Sequence, residues 1–250
     1  MKIASRQLPS FLPLFAAVAS SGLLAALLHS VAHAADRSFS PAQILAWGEK
    51  TFEGQTAYRV VERDGRPALE ARAQGQASAR FLEEDISLEE TPYLKWCWQV
   101  DSIYPSVNEK TKGGDDYPAR LYVVNKTGIL PWQVEAINYV WSSNQAKGSH
   151  WDNAFTDRAV LLAVESGDEK VGQWVAEVRD LRADYASLFG SKPSEIAGLA
   201  LMADGDNAGG DATALFRQTR KSPATDDSVA GLSVPAPHGV GGAHLRHRPG

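Results

Sequence analysis

The sequence predicts an all-β domain, a jelly-roll-type β-sandwich with one or two short helices. Three observations carry that prediction. Apolar residues recur at period two in several runs of five to eight residues, the spacing of half-buried strands. The runs are separated by Gly, Asp, Asn, Pro and Ser, the residues of tight turns. The long helical patterns that a parallel α/β sheet needs for its crossovers are missing between them.

The elements follow in chain order. Ser40-Pro41 sets a cap followed by a proline, the start signal of a short helix that carries Ile44, Leu45 and Trp47. Beyond Gly54 the period becomes two. Tyr58–Glu62 and Ala68–Ala73 alternate on either side of Asp64-Gly65, a hairpin turn signal. Leu94–Val100 is the clearest strand, with Leu94, Trp96, Trp98 and Val100 on one face and Lys95, Cys97 and Gln99 on the other. Further strands are expected at Ala119–Asn125, Ala136–Ser142, Ala159–Glu165, Trp174–Leu181 and Ile196–Ala203. A short helix from Leu181 to Phe189 ends at Gly190. In Gly113-Gly114-Asp115-Asp116-Tyr117-Pro118 the proline lacks an N–H and belongs at a strand's start, which makes the preceding residues its turn.

The two ends differ from this middle. Lys2 and Arg6 precede an uncharged apolar stretch, Phe11–Leu28, that closes on Val31-Ala32-His33-Ala34-Ala35 with alanines in the A-x-A positions. These are the parts of a secretory signal peptide over residues 1–34, cleaved after Ala34; a retained anchor is the alternative. The protein is therefore expected in the periplasm or outside the cell. Residues 221–250 turn to Pro, Gly, Ser, Ala and His and read as a disordered tail, leaving one domain over 35–220.

The full chain has 25 Lys+Arg and 30 Asp+Glu, a net charge of −5; without Lys2 and Arg6 the balance is 23 to 30, or −7. An acidic chain with no basic stripe argues against nucleic acid and anionic membranes as partners. Cys97 is the sole cysteine, so no internal disulfide is available. Within 35–220 the one histidine is His150, too little for a nucleophilic triad or a classical zinc site. No Gly-Lys-Ser/Thr closes Gly113-Gly114, and two acids there would repel a phosphate.

Several motifs occur in a fixed order: Trp96-Cys97-Trp98, Gly114–Arg120, Asn138-Tyr139-Val140-Trp141, Arg179-Asp180 with Asp184-Tyr185, Phe189-Gly190, and Asp204-Gly205-Asp206-Asn207. Together they resemble the DUF3047 family, exported bacterial proteins of unknown function, over about Phe39–Phe216. The resemblance implies an exported single domain similar in pattern to the β-sandwiches of carbohydrate-binding modules. It brings no established catalytic residues.

Two sets of residues carry chemistry. Alternation puts Arg120 and Tyr122, Asn138, Glu177 and Arg179, and Gln99 opposite the apolar residues of their strands. If adjacent, they form a polar face able to bind a glycan or another polar envelope ligand, or else a wet outer face. Asp204 and Asp206, with Asp115, are candidates for a calcium loop, against a plain Asp/Asn/Gly turn. The enzymatic alternative is a polysaccharide-cleaving carboxylate pair, Glu177 with Asp115, Asp116 or Asp180. Binding without catalysis is the reading adopted, and an envelope interaction protein without a small ligand is the third.

Overall fold

The computed structural model describes residues 37–130 and 132–222. The elements are β1 (Arg37–Phe39), α1 (Pro41–Leu45), β2 (Gly48–Glu53), β3 (Ala57–Arg63), β4 (Arg66–Gln74), β5 (Ala77–Ser87), β6 (Tyr93–Val100), β7 (Arg120–Lys126), β8 (Val134–Ser142), β9 (His150–Asp152), β10 (Ala159–Ser166), β11 (Val175–Asp180), α2 (Leu181–Leu188), β12 (Glu195–Met202), β13 (Asp211–Phe216) and β14 (Thr219–Ser222). The predicted signal segment lies outside the described residues. So does the predicted tail, except that β14 carries the fold two residues past the expected boundary at 220.

The strands form two seven-stranded sheets. The first runs β1-β14-β6-β13-β4-β3, with β11 on the other edge of β6; the second runs β2-β5-β12-β7-β8-β10-β9. The all-β sandwich with two short helices is thus what the described residues form. All pairings between named strands are antiparallel except that of β8 with β10. Between those two, β9 returns antiparallel to β10 and closes the edge. The chain crosses repeatedly from one sheet to the other, so neither sheet is complete until the last strands arrive.

Local chemistry accounts for the boundaries. Ser40 caps α1 through the Gln43 N–H at 3.3 Å, and the Gln43 side chain returns to the Ser40 N–H at 2.8 Å, a reciprocal capping box. The Asp64-Gly65 turn takes φ of +52° and +70°, the double left-handed conformation that a two-residue hairpin between β3 and β4 demands. Asp180 caps α2 by accepting from the Ala183 N–H at 3.1 Å, and Gly190, at φ +69°, follows its end.

The core lies between the sheets. Leu94, Trp96, Trp98 and Val100 of β6 meet Tyr139 and Trp141 of β8, with Leu121 and Val123 of β7 and Leu199 and Leu201 of β12. The Trp96 and Trp98 rings are edge to face at 5.4 Å, Trp96 lies 5.4 Å from Tyr139, and Trp98 lies 6.1 Å from Trp141. Outside the first sheet, Cys97 is buried with Ala68, Leu215 and Trp174, a small apolar group as its flanking tryptophans suggested.

β11 corrects the expected polar face. Its alternation is as read, but its polar side faces inward: Val175, Glu177 and Arg179 stand opposite Trp98, Trp96 and Leu94, whose side chains fill the core. Tertiary pairing decides which side of an alternating strand is wet, and here β11 lies along the edge of the sandwich. Arg179 donates to Asp184 (Nε to Oδ2 2.9 Å), which also accepts from the Tyr139 hydroxyl at 2.6 Å, so α2 is tied to β8. Gln99 lies outside the first sheet and donates to the Gly172 carbonyl at 2.8 Å.

Burial pushes the Glu177 carboxyl up, to about 7, with Glu165 adding to the rise and Lys147, Lys170 and Arg179 opposing it. Its Oε1 is buried without a hydrogen-bond partner. Because the folded value lies above the unfolded one, this group stabilises the fold fully at acid pH. That contribution is lost as pH rises toward and through 7. Glu177→Gln is expected to raise stability by roughly 1–3 kcal/mol at pH 8 and to change it little at pH 4. Urea unfolding at the two pH values measures the difference, and an equal effect at both would exclude this origin.

Candidate functional site

The outer face of the second sheet carries a cleft of about 330 Å³. β7 and β8 pair with Tyr122 opposite Asn138, and β7 and β12 with Arg120 opposite Met202, so one register brings four cleft side chains together. The loop before β7 supplies Asp115, the loop after β12 supplies Asp204, Asp206 and Asn207, and the β9–β10 connection supplies Asn153 and Phe155. Phe52 of the edge strand β2 forms the remaining rim.

Arg120 organises this end of the sheet. Nε donates to Asp204 Oδ1 at 2.9 Å, and Nη2 donates to Asp204 Oδ2 and to the Asp115 carbonyl. Nη1 donates to Asp115 Oδ2 at 3.4 Å and to the Tyr122 hydroxyl at 3.3 Å. Those contacts use all five guanidinium N–H groups. The group also stacks 4.3 Å from the Tyr117 ring and is 3 % exposed. Arg120 therefore lines the cleft without an N–H left to offer a ligand.

The loops close on the same centre. Asp204 Oδ1 also accepts from the Tyr117 N–H at 3.2 Å, and its carbonyl accepts from the Tyr104 hydroxyl at 2.6 Å. Asp116 accepts from the Asn207 N–H at 3.1 Å, the Asn207 Nδ2 at 3.0 Å and the Ala208 N–H at 2.5 Å, which pins the two loops together. Gly114 is required by contact, since a Cβ there would lie 2.4 Å from the Asn108 carbonyl oxygen. Buried Glu109 accepts from the Ser142 hydroxyl at 2.5 Å and the Ser143 N–H at 2.6 Å; its carbonyl accepts from the Tyr117 hydroxyl and the Trp151 indole. Burial pushes its carboxyl up, while those donors pull it down.

Of the sequence candidates, Arg120, Tyr122, Asn138, Asp115, Asp204 and Asp206 meet in the cleft. Glu177 and Arg179 do not, because β11 belongs to the other sheet. Asp180 is the α2 cap and is equally absent from it. Asn153, Phe155, Phe52 and the supporting Glu109 were missed, since none lies in an alternating run pointing at the others. Asn153 donates to Asp115 Oδ2 at 3.2 Å. Trp151 is buried, His150 is exposed, and Trp132 is 55 % exposed away from the cleft.

The acidic set differs from the one expected for calcium. Oxygens of Asp116, Asp204 and Asp206 lie within 4.8 Å of one another, with Asp116 in the place expected of Asp115. Arg120 holds both oxygens of Asp204, and N–H donors hold both oxygens of Asp116. Asp206 is held less firmly, its Oδ1 accepting from the Asn207 Nδ2 at 3.3 Å. A hard cation wants six to eight oxygens, and this donor set fits an arginine-centred network better. Burial pushes the Asp204 carboxyl up, to about 7, against the pull of Arg120 and with a further push from Asp116 and Asp115.

Comparison with known proteins places the chain. The profile of a family described as "Protein of unknown function (DUF3047)" matches residues 45–220. The chain belongs to the DUF3047 family. No curated protein matches it in sequence. Among solved structures, this DUF3047 chain is similar to the Emp47p carbohydrate recognition domain, with 12% identity and a TM-score of 0.34, over 68% of this chain and 88% of that one. It is similar to winged bean acidic lectin in complex with methyl-α-D-galactose, with 11% identity and a TM-score of 0.36, over 75% and 99% of the two chains. An exo-β-agarase gives 13% identity and a TM-score of 0.31, over 72% of this chain and 24% of the agarase. Scores of this size carry no argument about ligand or activity.

Two outcomes follow from the arginine network. Arg120→Ala or Asp204→Ala strands a buried charge and is expected to cost about 3–5 kcal/mol. Arg120→Ala with Asp204→Ala is expected to cost less than the two single alanine changes added together. Chemical denaturation of the four proteins measures this, and simple additivity would refute the coupling. The melting temperature is expected to be the same in millimolar calcium and in chelator; a rise with calcium that chelator reverses would assign the aspartates to a metal.

Proposed function

We propose that this protein is an exported binder of a hydroxyl-rich ligand, with carbohydrate as the class, held in the cleft outside the second sheet. One observation carries the reading: Asp115 and Asn138 line the same cleft, and each keeps a buried Oδ1 that accepts no hydrogen bond. Buried acceptors left unmatched cost free energy, and a ligand rich in O–H donors removes that cost. Phe52 and Phe155, 59% and 55% exposed, border the cleft and offer ring faces to the carbon face of a sugar. The basic start, apolar stretch and A-x-A site at the N-terminus support export to the periplasm or beyond.

Binding is favoured over cleavage by the positions of the acids. Asp180 is committed to the start of α2, and Glu177 faces the sandwich core from the other sheet. Glu177, the member common to every pair nominated for glycoside hydrolysis, therefore does not flank the cleft, although Asp115 lines it.

Asn138→Ala is the informative change, because Arg120→Ala compromises the fold. On a glycan array and in titration calorimetry the wild type is expected to retain a defined set of glycans without releasing product. Asn138→Ala is expected to bind them about 3- to 10-fold more weakly, the worth of one hydrogen bond, with its melting temperature kept. Absence of binding across a broad panel that includes amino sugars would sink the carbohydrate reading in favour of an envelope interaction protein.

A further inference from the structure

The cleft does not end at Tyr122. Beyond that ring the outer face of the second sheet continues as a hollow of about 250 Å³, walled by Phe52, Ala79, Phe81, Tyr122, Val124 and Ala200. Phe52 and Tyr122 border both hollows, so the two adjoin.

Both have apolar walls, and they differ in the polar groups that only the first adds. The first hollow contains carboxylate, amide and guanidinium groups. In the second, the Tyr122 hydroxyl is turned to Arg120 and Met202, its oxygen 3.3 Å from Arg120 Nη1 and from Met202 Sδ. The other polar side chain there is that of Lys50, on the edge strand. What remains is hydrocarbon and aromatic carbon. The trough has a specific cause in the register: Ala200 stands opposite Tyr122 on one side and Phe81 on the other, a methyl between two rings. Phe81 in turn is opposite Gly48, where a Cβ would meet its ring at 2.7 Å, so β2 approaches close enough for Phe52 to form the outer wall. An apolar slot opening into a cleft with two unmatched buried acceptors matches one kind of molecule.

The geometry points to an amphiphilic ligand, and we propose that the protein binds a glycoside with an apolar tail. The hydroxyl-bearing head occupies the cleft beside Asp115 and Asn138, and an alkyl or aryl aglycone lies over Ala200 between Tyr122 and Phe81. This rests on the reading of the cleft as a site for a hydroxyl-rich ligand, and adds the chemistry of what is attached to it.

Calorimetric titration of the purified protein with methyl, hexyl and octyl glycosides of the same sugars, below their micelle concentrations, tests both layers separately, with octanol as the tail alone. Octyl glycosides are expected to bind at least about tenfold more tightly than their methyl counterparts, since each buried methylene adds to affinity. Ala200→Glu is expected to abolish that gain and leave methyl glycoside affinity unchanged. If Ala200→Glu fails to fold, Phe52→Ser on the exposed edge strand is expected to reduce the same gain. Equal affinity for methyl and octyl glycosides would overturn the amphiphile inference and leave the carbohydrate reading standing. A gain that survives both substitutions would overturn the trough as its place. Octanol binding as tightly as octyl glycosides would overturn the head-group reading and this inference with it, as would failure of every glycoside to bind.

Discussion

A single guanidinium, nine-tenths and more buried, holds one end of this sandwich together. Arg120 enters at the first residue of β7 and spends its donors on two loops, one 5 residues before it at Asp115 and one 84 residues after it at Asp204. Such a group is costly to bury, and it is tolerable here because every N–H has an acceptor and an aromatic ring covers one face. Removing any acceptor leaves a charge with nowhere to go. The Asp115 and Asp204 loops can therefore be irregular without being loose, and the cleft walls are fixed before any ligand arrives. Preorganisation of this kind lowers the ordering cost that binding otherwise bears.

The same network separates hydrogen-bonding groups that the protein fills from those it leaves open. Arg120, Asp204 and Asp116 have their valences filled by the protein, whereas Asp115 and Asn138 each retain one acceptor. A residue's presence in a cleft is thus a poor guide to its role; the count of its unspent hydrogen-bonding atoms is the better one.

Much of the fold was legible in the sequence because strong local signals agreed with the tertiary structure. Asp64-Gly65, the Ser40-Pro41 start and the alternating tryptophans of β6 each had one physical solution. β5 was missed: its alternation is broken by the acidic run Glu83-Glu84-Asp85, and only pairing with β2 and β12 defines it. β2, exposed at every position, had no apolar face to read. Half of the site was legible for the same reason. Arg120, Tyr122 and Asn138 sit on strands adjacent both in sequence and in space. Glu177 and Arg179 had correct alternation and the wrong sheet, which no period-two pattern encodes. Asn153, Phe155 and Phe52 come from loops or an edge strand, where side-chain direction follows from what lies across the gap.

The pairing of β1 with β14 and of β6 with β11, β13 and β14 has a consequence in time as well as in space. The strand richest in core tryptophans finds its neighbours only in the last third of the domain, and the first strand waits for the final one. Contacts of such sequence separation make nucleation slow and leave little that is stable in a partial chain. A nascent chain of this topology stays threadable until its C-terminal strands emerge, the condition under which an unfolded polypeptide passes through a narrow channel. This long-range closure sets when the protein can first exist as a folded body.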